Sequence, residues 1–512
     1  MAVTHCPGMD NRDTPKGDGA EPLELSGEEP ARKRKLPVRL KPSFRKPPVE
    51  ADQRTFEPER AEDLVPASHW VRGLVRLVEA FDLSGLVATY ELDGHPPYPP
   101  ERLLAVWVVG MALGFRSTRR LAEAVLYDAR LVVAAKRMRP SYRTLGRFRV
   151  RLESCLPGLL GETIKVGLRE GVIKGSDLGL DGTKMMGNTR QSLPRRVNEF
   201  VERALRETAA NDALEGCSDE FEDKDPPSGS GGGSDPEARK MRTRTGFVTG
   251  YNAQAATDMD SGMALCGAVS AEANDGVCLG EPFAAAVGNL GGRAKTLTTD
   301  KGYDSAENLA LVEAAGVEPY LPGRDGRDSE LVEASVTDGK VFCEHGYELA
   351  VESSWVDGHG KRRVRWHFRG CEVCRKEYTL PEGVDPAVRV RRARRMRTEE
   401  AVRLLGLRGK VVERLFGCLK WNRGFFRFLL RGLRKVNLEW LLMLLVHNLA
   451  ILVRRGVGDG CLSPSARRDS GSVALTRTLR QLLLWARRAI RTPSAVVRAC
   501  DRLVVSPAGS AR

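Results

Sequence analysis

The sequence predicts an α/β fold in which a mixed β-sheet is flanked by helices. An all-helical region precedes the sheet, and an insertion separates its strands from a late helix. Three observations support this prediction. Apolar residues recur at helical spacing from Trp70 to about Leu168, strand-like runs alternate with a helical run from Leu178 onward, and a second helical pattern surrounds Glu413.

The helical region spans residues 63–170. Pro99-Pro100 and Ser117 stand where helices are expected to begin, because proline suits the first helical turn and serine caps it. Basic residues cluster near the predicted joints, and three are candidate phosphate contacts: Arg119, Arg120 and Arg147. We therefore predict a helical DNA-binding domain, although a helical packing module fits the same pattern nearly as well.

The sheet begins in residues 171–325. A strand around Leu178 and Leu180 is followed by two paired strands, Phe247–Asp258 and Ala264–Ser270, then by a helix over 280–290 and a strand that leads to Asp300. The order of strand, strand, strand, helix, strand is that of an RNase-H-like sheet. Residues 209–244, with an acidic run, Pro-Pro and a Gly/Ser run, are predicted to be a flexible excursion.

Two of these strands end in a carboxylate, at Asp181 and Asp300, and the late helix carries Glu413. Hard oxygen ligands of this kind suit Mg²⁺ or Mn²⁺, and a pair of such ions can act on a phosphodiester. Asp177 competes with Asp181 but would lie about 13 Å away along the strand. Asp304 competes with Asp300, but its spacing from Glu307 predicts a helix cap.

Residues 398–456 are predicted to contain the late helix and the C-terminal helices of the core. On the late helix we expect Glu413, Gly417 and Lys420 to share one face, apart from the face that packs on the protein. Glu413 could then reach a metal ion while Lys420 reaches a phosphate. A solvated ion-rich stripe would have the same spacing, so only the combination with Asp181 and Asp300 favours a site.

Charge and flanking segments indicate the class of partner. Lys and Arg number 81 against 67 Asp and Glu, a net charge of +14, which favours a polyanion such as nucleic acid. Residues 1–62 are predicted to be a disordered basic arm, and 457–512 a basic tail with one amphipathic helix. The first thirty residues lack an apolar leader pattern and the cysteines are scattered, so we expect a reducing cytoplasm. The apolar run Trp440–Val453 is interpreted as a core helix rather than a membrane span.

Several of these stretches resemble bacterial insertion-sequence transposases of the DDE type, in the IS-four-like superfamily. Asp181-Gly-Thr-Lys184, Thr299-Asp-Lys-Gly-Tyr303 and Glu413-x6-Lys420 are similar to the three catalytic boxes. The likeness extends over most of the chain, and three further stretches belong to it: Tyr98–Leu104 through Arg147–Arg149, Gly250-Tyr-Asn-Ala-Gln254 and Phe428–Leu433.

The resemblance implies a chemistry and a partner. Asp181, Asp300 and Glu413 would bind two Mg²⁺ or Mn²⁺ ions, and the enzyme would cut and join DNA strands at terminal inverted repeats and target DNA, as a nucleoid-associated homo-oligomer. The family pattern Tyr-x2-Arg-x3-Glu-x6-Lys places Gly406 and Gly409 at the Tyr and Arg positions. Arg408 and Lys410 are the nearest substitutes, and Lys420 and Arg431 complete the expected DNA contacts.

The insertion, residues 326–397, contains Cys343-Glu-His345 and Cys371-Glu-Val-Cys374. Thiolates and an imidazole at this spacing can hold a tetrahedral Zn²⁺, so we consider a structural zinc site of Cys343, His345, Cys371 and Cys374. The histidine could equally be His359 or His367, and free thiols would have the same spacing.

Two alternative functions remain open at this point. An inactive or domesticated derivative would bind DNA ends without cutting them, which the glycines at 406 and 409 favour. Another RNase-H-like metal-dependent nuclease would cut DNA but would not join strands. A purely structural role would leave the basic charge and the strand-end aspartates without use.

Overall fold

The computed structural model describes residues 60–90, 96–189, 235–243, 246–323 and 331–457. Its helices, numbered in chain order, are α1 (Trp70–Glu79), α2 (Ser84–Val87), α3 (Pro100–Ala112), α4 (Thr118–Tyr127), α5 (Ala129–Ala135), α6 (Tyr142–Arg151), α7 (Leu156–Arg169), α8 (Gly280–Leu290), α9 (Ala306–Ala314), α10 (Ala387–Arg395), α11 (Glu399–Gly417) and α12 (Leu433–Arg454). Residues 1–59 of the predicted arm and 458–512 of the predicted tail, with its amphipathic helix, lie outside the described residues.

The strands are β1 (Asp177–Met186), β2 (Arg239–Thr243), β3 (Gly246–Asp258), β4 (Ala264–Ser270), β5 (Thr296–Thr298), β6 (Glu318–Tyr320), β7 (Ser335–Thr337), β8 (Lys340–Phe342), β9 (Leu349–Val356), β10 (Arg362–Phe368) and β11 (Tyr378–Pro381). The end of the predicted excursion is therefore ordered, because β2 pairs with the first half of β3. Residues 209–234 and 244 of that excursion lie outside the described part of the chain.

The main sheet confirms the predicted fold class. β3 pairs antiparallel with β1 and with β4, and β1 pairs in parallel with β5, which pairs in parallel with β6. Three antiparallel strands followed by two parallel ones, with helices against them, form an RNase-H-like core. β5 ends at Thr298 beside Gly179, whereas β1 continues to Met186. The prediction that Asp181 ends its strand was therefore wrong, because β1 stays paired with β3 beyond Asp181.

Two helices of the helical region, α3 and α4, begin at the residues that the sequence predicted. Pro100 is the first residue of α3, and the Ser117 side chain accepts a hydrogen bond from the Arg120 backbone N–H at the start of α4. Proline lacks the N–H that would be unpaired in a first helical turn, and the serine hydroxyl accepts a hydrogen bond from one such N–H. The apolar faces of these helices join the same continuous core as the sheet.

Helix α12 is the central core helix, as predicted for its apolar run. By length and composition alone it could cross a membrane, but 78% of its most apolar window is buried inside the protein. Trp440 donates to the Gln254 carbonyl (2.8 Å), and the Asn448 amide bonds both the N–H and the carbonyl of Ala264. α12 therefore packs directly on β3 and β4.

The insertion has a small core of its own, separate from the main one. Three strands, β9, β10 and β11, form its sheet, β7 and β8 form a hairpin, and the side chains of Leu349, Phe368 and Tyr378 are buried with its cysteines. The insertion therefore buries three thiols within this small core, beside larger apolar side chains.

Candidate active site and a second cluster of thiols

Asp181 and Asp300 lie near each other where β5 ends beside the middle of β1. In the parallel pairing of β1 with β5, Gly179 lies opposite Thr298. Asp181 and Asp300 each follow this pair by two residues along their own chain segments. Burial raises the pKa of the Asp181 carboxyl to about 6; the guanidinium of Arg408 opposes this shift, and the charge of Asp300 adds to it. The two carboxylates are therefore close enough to repel each other.

Asp300 is held by the turn that follows it. Its Oδ1 accepts a hydrogen bond from the Gly302 N–H (2.8 Å) and so caps a short 3₁₀ turn, Lys301–Tyr303. A Cβ at position 302 would lie 2.9 Å from that same oxygen. Glycine is needed here for space rather than for an unusual backbone angle, because any side chain would displace the carboxylate.

Helix α11 lies directly on the strand that carries Asp181. Gly179 allows this approach, since a Cβ there would be 2.8 Å from Val412 Cγ2. Glu413, the next residue, is exposed. Its Oε1 lies 4.0 Å from the position that a Cβ on residue 409 would occupy, so the Glu413 side chain points toward the N-terminal end of α11. The absence of a side chain at 409 thus leaves room beside this carboxylate.

Arg408 links α11 to Asp181. Its Nη1 donates to Asp181 Oδ2 (2.8 Å), and the two side chains are only 15% and 18% exposed. The other oxygen of Asp181 accepts from the Gly182 N–H. Of the two proposed substitutes for the family arginine, Arg408 is therefore in contact with the site, whereas Lys410 is exposed on the surface of α11.

Lys420 lies beyond the regular part of α11. The α-helix ends at Gly417, and Cys418–Asn422 form a π-helical turn. The prediction of one regular α-helix through Lys420 was therefore wrong, whereas the shared face of Glu413 and Lys420 stays a prediction. The ammonium donates to Thr183 Oγ1 and to the Lys184 carbonyl, and its burial lowers the pKa of Lys420 to about 8.

The competing aspartates have other partners. Asp177 accepts from the Thr296 hydroxyl and pairs with Arg403 (3.1 Å). Asp304 was predicted to cap α9, but Ser305 does so, by accepting from the Asn308 N–H. That prediction was wrong because Asp304 is buried and pairs with Arg389 of the insertion (3.3 Å).

The remaining predicted DNA contacts lie on other elements. Arg431 is exposed in the loop before α12. Arg120 on α4 and Arg147 on α6 are exposed in the helical region, and the guanidinium of Arg119 lies 4.5 Å from the ring centre of Tyr142. α4 and α6 pack against each other, so these three arginines belong to one part of the surface.

Sequence analysis missed Asp275, which lies in a 3₁₀ turn, Asp275–Val277, after β4. Its Oδ1 accepts from the side chains of Lys184 (2.8 Å), Asn252 (2.6 Å) and Gln254 (3.2 Å). In the sequence, Asn274-Asp275-Gly276 has only the composition of an ordinary turn. The signal was indirect, since its three partners all lie in stretches that carry the family resemblance.

The insertion brings its cysteines together with one histidine. The Sγ atoms of Cys343, Cys371 and Cys374 and one ring nitrogen of His345 all lie within 4.8 Å of one another. His345 Nδ1 is 3.8 Å from Cys371 Sγ and 3.7 Å from Cys374 Sγ. Of the three histidines considered, His345 is the one in this cluster. His359 is exposed in the turn after β9, and His367 lies beside Glu352.

The donors of this cluster have the chemistry of a zinc site. The backbone N–H of Cys374 donates to Cys371 Sγ (3.3 Å), and this bond holds the pKa of the Cys371 thiol below its usual range. Three thiolates and one imidazole are a common tetrahedral ligand set for Zn²⁺. The insertion is also attached to the segment after Asp300, because Arg363 pairs with Glu307 (2.6 Å) as Arg389 does with Asp304.

Two family models match the chain. One is described as "Transposase domain (DUF772)" and matches residues 59–151; the other is described as "Transposase DDE domain" and matches residues 229–449. The first match covers the helical region through α6. The second covers Asp275, Asp300 and Glu413, whereas Asp181 lies outside both. No curated protein matched the sequence.

Proposed function

Because the chain belongs to the DDE-type insertion-sequence transposases, a family that binds and cleaves or transfers DNA, we propose that Asp181, Asp300 and Glu413 form its catalytic triad. One observation carries this proposal. Asp181 in the middle of β1 and Asp300 just after the end of β5 lie beneath the helix of the glutamate, and a cationic side chain, Arg408, pairs with Asp181.

The residues present fit two divalent ions of the Mg²⁺ or Mn²⁺ type. Three carboxylates offer hard oxygen donors, and the guanidinium of Arg408 stands in for a cation at Asp181 Oδ2. When bound, such ions supply a polarised nucleophile, water or a DNA 3′-OH, and stabilise the leaving oxygen. The protein would supply the geometry, because the register of β1 and β5 brings the two aspartates near each other and α11 would present the glutamate.

Basic residues would hold the DNA backbone around these carboxylates. Lys420 is fixed beside Thr183, two residues from Asp181 on the same face of β1. Lys410 and Arg431 are exposed near α11 and α12, and Arg408 can exchange Asp181 for a phosphate once a metal ion takes the carboxylate. We propose Arg119, Arg120 and Arg147 as contacts of the helical region with the terminal repeats, in a homo-oligomer that brings two ends together.

We also propose that Cys343, His345, Cys371 and Cys374 hold a structural Zn²⁺. A small core built around buried thiols gains most of its order from such an ion, because the metal ligands tie together residues that are up to 31 positions apart in the chain. A zinc-ordered insertion would also help to fix the segment after Asp300, because Arg363 pairs with Glu307 and Arg389 pairs with Asp304.

The triad is tested by the single variants Asp181→Asn, Asp300→Asn and Glu413→Gln. We expect each to bind DNA carrying the element's terminal repeats about as well as the unchanged protein, and to lose strand cleavage and strand transfer in Mg²⁺. The matched control is Asp177→Asn, on the same strand but paired with Arg403. Cleavage retained in any triad variant would remove that residue from the site. An unchanged protein that binds these ends without cutting them would instead indicate an inactive derivative.

A further inference from the structure

We propose that Asp275 is a positioning residue of the same site, which holds the strand of Asp181 and the turn of Asp300 in a fixed relation. The inference rests on the proposed function. It concerns a carboxylate outside the predicted triad, on the turn after β4. Asp275 would act through the residues that it binds rather than by touching the reacting atoms.

The carboxylate of Asp275 fills the space left by two glycines of the catalytic boxes. A Cβ at Gly182, directly after Asp181, would lie 2.8 Å from Asp275 Oδ1. A Cβ at Gly302, two residues after Asp300, would lie 3.5 Å from Asp275 Oδ2. Both aspartate boxes thus leave room for this one side chain, and any side chain at Gly182 would collide with it.

The partners of Oδ1 tie two strands to that position. Lys184 on β1 and the amides of Asn252 and Gln254 on β3 all donate to it. The ion pair with Lys184 is sheltered, with 16% and 23% of the two side chains exposed. Because side chains alternate along a strand, Lys184 lies on the face of β1 opposite Asp181. The pair places its ammonium against a carboxylate whose other oxygen is close to Asp300, since a Cβ at Gly302 would lie near both Asp275 Oδ2 and Asp300 Oδ1.

Further hydrogen bonds continue from Asp275 to the turn that Asp300 caps. The buried hydroxyl of Tyr303, in that turn, donates to Gln254 Oε1, and Gln254 donates to Asp275. The Asn308 amide donates to both the Gly276 and the Tyr303 carbonyls, each at 2.8 Å. The Asp275 turn and the Asp300 turn therefore share two connections, one through Gln254 and one through Asn308.

The second oxygen of Asp275 has a different environment. Oδ2 accepts no hydrogen bond from any residue that the structure describes, and it faces Gly302. All three donors thus converge on one oxygen. An asparagine at 275 would keep one acceptor but lose the charge that neutralises Lys184, so an uncompensated ammonium would be left close to Asp300.

The test compares Asp275→Asn with Glu272→Gln, an exposed carboxylate three residues upstream on the same segment. Mn²⁺ binding to the full-length protein is measured by the spin resonance of the free ion, together with the Mn²⁺ dependence of cleavage, DNA binding and thermal stability. We expect Asp275→Asn to weaken Mn²⁺ binding roughly 10-fold, as loss of a residue that supports metal ligands does. DNA binding should stay within about two-fold, and Glu272→Gln should behave as the unchanged protein.

A double variant, Lys184→Gln with Asp275→Asn, adds a readout that a purely structural role would not move. It should recover part of the lost Mn²⁺ affinity, because the unpaired ammonium is gone. If Asp275→Asn fails to fold, Asp275→Glu keeps the charge and should shift Mn²⁺ binding in the same direction by a smaller factor. Unchanged Mn²⁺ binding in the folded Asp275 variant would overturn this inference. Cleavage retained by Asp300→Asn would overturn the proposed function instead.

Discussion

Arg408 on α11 and Asp181 on β1 are bound to each other across 2.8 Å, although 227 residues separate them in the chain. Both side chains are largely buried, so the attraction is screened less than that of a surface pair. The guanidinium lowers the pKa of Asp181 against the stronger effect of burial, which raises it to about 6. Arg408 therefore helps to keep a buried carboxylate ionised near neutral pH.

The first prediction concerns the pH dependence of cleavage. Replacing Arg408 by Met removes the cation that lowers the pKa of Asp181, so that pKa should rise above about 6. Protons then compete with the metal ion for Asp181 over a wider range of pH. At limiting Mg²⁺, the acid limb of the plot of cleavage rate against pH should therefore move to higher pH. The measurement is single-turnover cleavage from pH 5.5 to 8.5. Arg403→Met, which removes the partner of Asp177 on the same helix, is the control and should leave the limb in place.

The second prediction concerns Lys420. Its pKa of about 8 means that its charge is lost as pH rises through that value. Thr183→Val removes a hydrogen-bond acceptor of the charged form and should lower this pKa further, so DNA binding should begin to weaken at a lower pH. Thr183→Ser keeps the hydroxyl and should match the unchanged protein. Gel-shift titrations between pH 7 and 9 measure the effect; identical profiles for Val and Ser would contradict it.

The third prediction separates the histidines of the insertion. Purified protein should contain one zinc per chain, and His345→Ala should lose it, because His345 lies among the three thiols. His359→Ala should retain it, since His359 lies in the exposed turn after β9. Elemental analysis after gel filtration measures the content, and limited proteolysis should show earlier cutting within 331–397 in the His345 variant. Zinc-free native protein would end the proposal.

The fourth prediction concerns stability. Arg116 pairs with Glu439 of α12 at 2.7 Å, with 6% and 5% of the side chains exposed, and Glu439 also accepts from the N–H groups of Leu429 and Leu430. Glu439→Leu leaves a buried cation without its carboxylate, which should lower the free energy of unfolding by about 3–5 kcal/mol.

Urea denaturation followed by tryptophan fluorescence measures that loss. The comparison is Glu153→Gln, which breaks a pair with Arg434 that is largely exposed on the arginine side. Such a surface pair contributes about 0–1 kcal/mol, so the two variants should differ clearly. Equal effects would show that the Arg116–Glu439 pair adds nothing through its burial.

Local features were within reach of sequence reasoning. The starts of α3 and α4 at Pro100 and after Ser117 depend on the chemistry of one helical turn. The strands β3 and β4 followed from alternation and a turn, and the RNase-H-like fold class followed from the order of elements. Both family matches confirm the resemblance that rested on short boxes spread along the chain.

Other assignments depended on how elements pack. Ser305 rather than Asp304 caps α9, because a helix of the insertion brings Arg389 to Asp304. Lys420 contacts Thr183 from a π-helical turn that begins at Cys418. Neither the spacing of Asp304 and Glu307 nor that of Glu413 and Lys420 contains this information.

By itself the sequence determined the kinds of elements, the carboxylate that follows β5 and the thiols available to a metal ion, since these follow from side-chain period and turn chemistry over a few residues. Only the tertiary structure decided that Arg408 neutralises Asp181, that His345 joins the thiols and that Asp275 lies between two glycines. The physical reason is range. Ion pairs and hydrogen bonds form within about 3 Å, and the distance between residues far apart in the chain is set by the packing of helix on sheet.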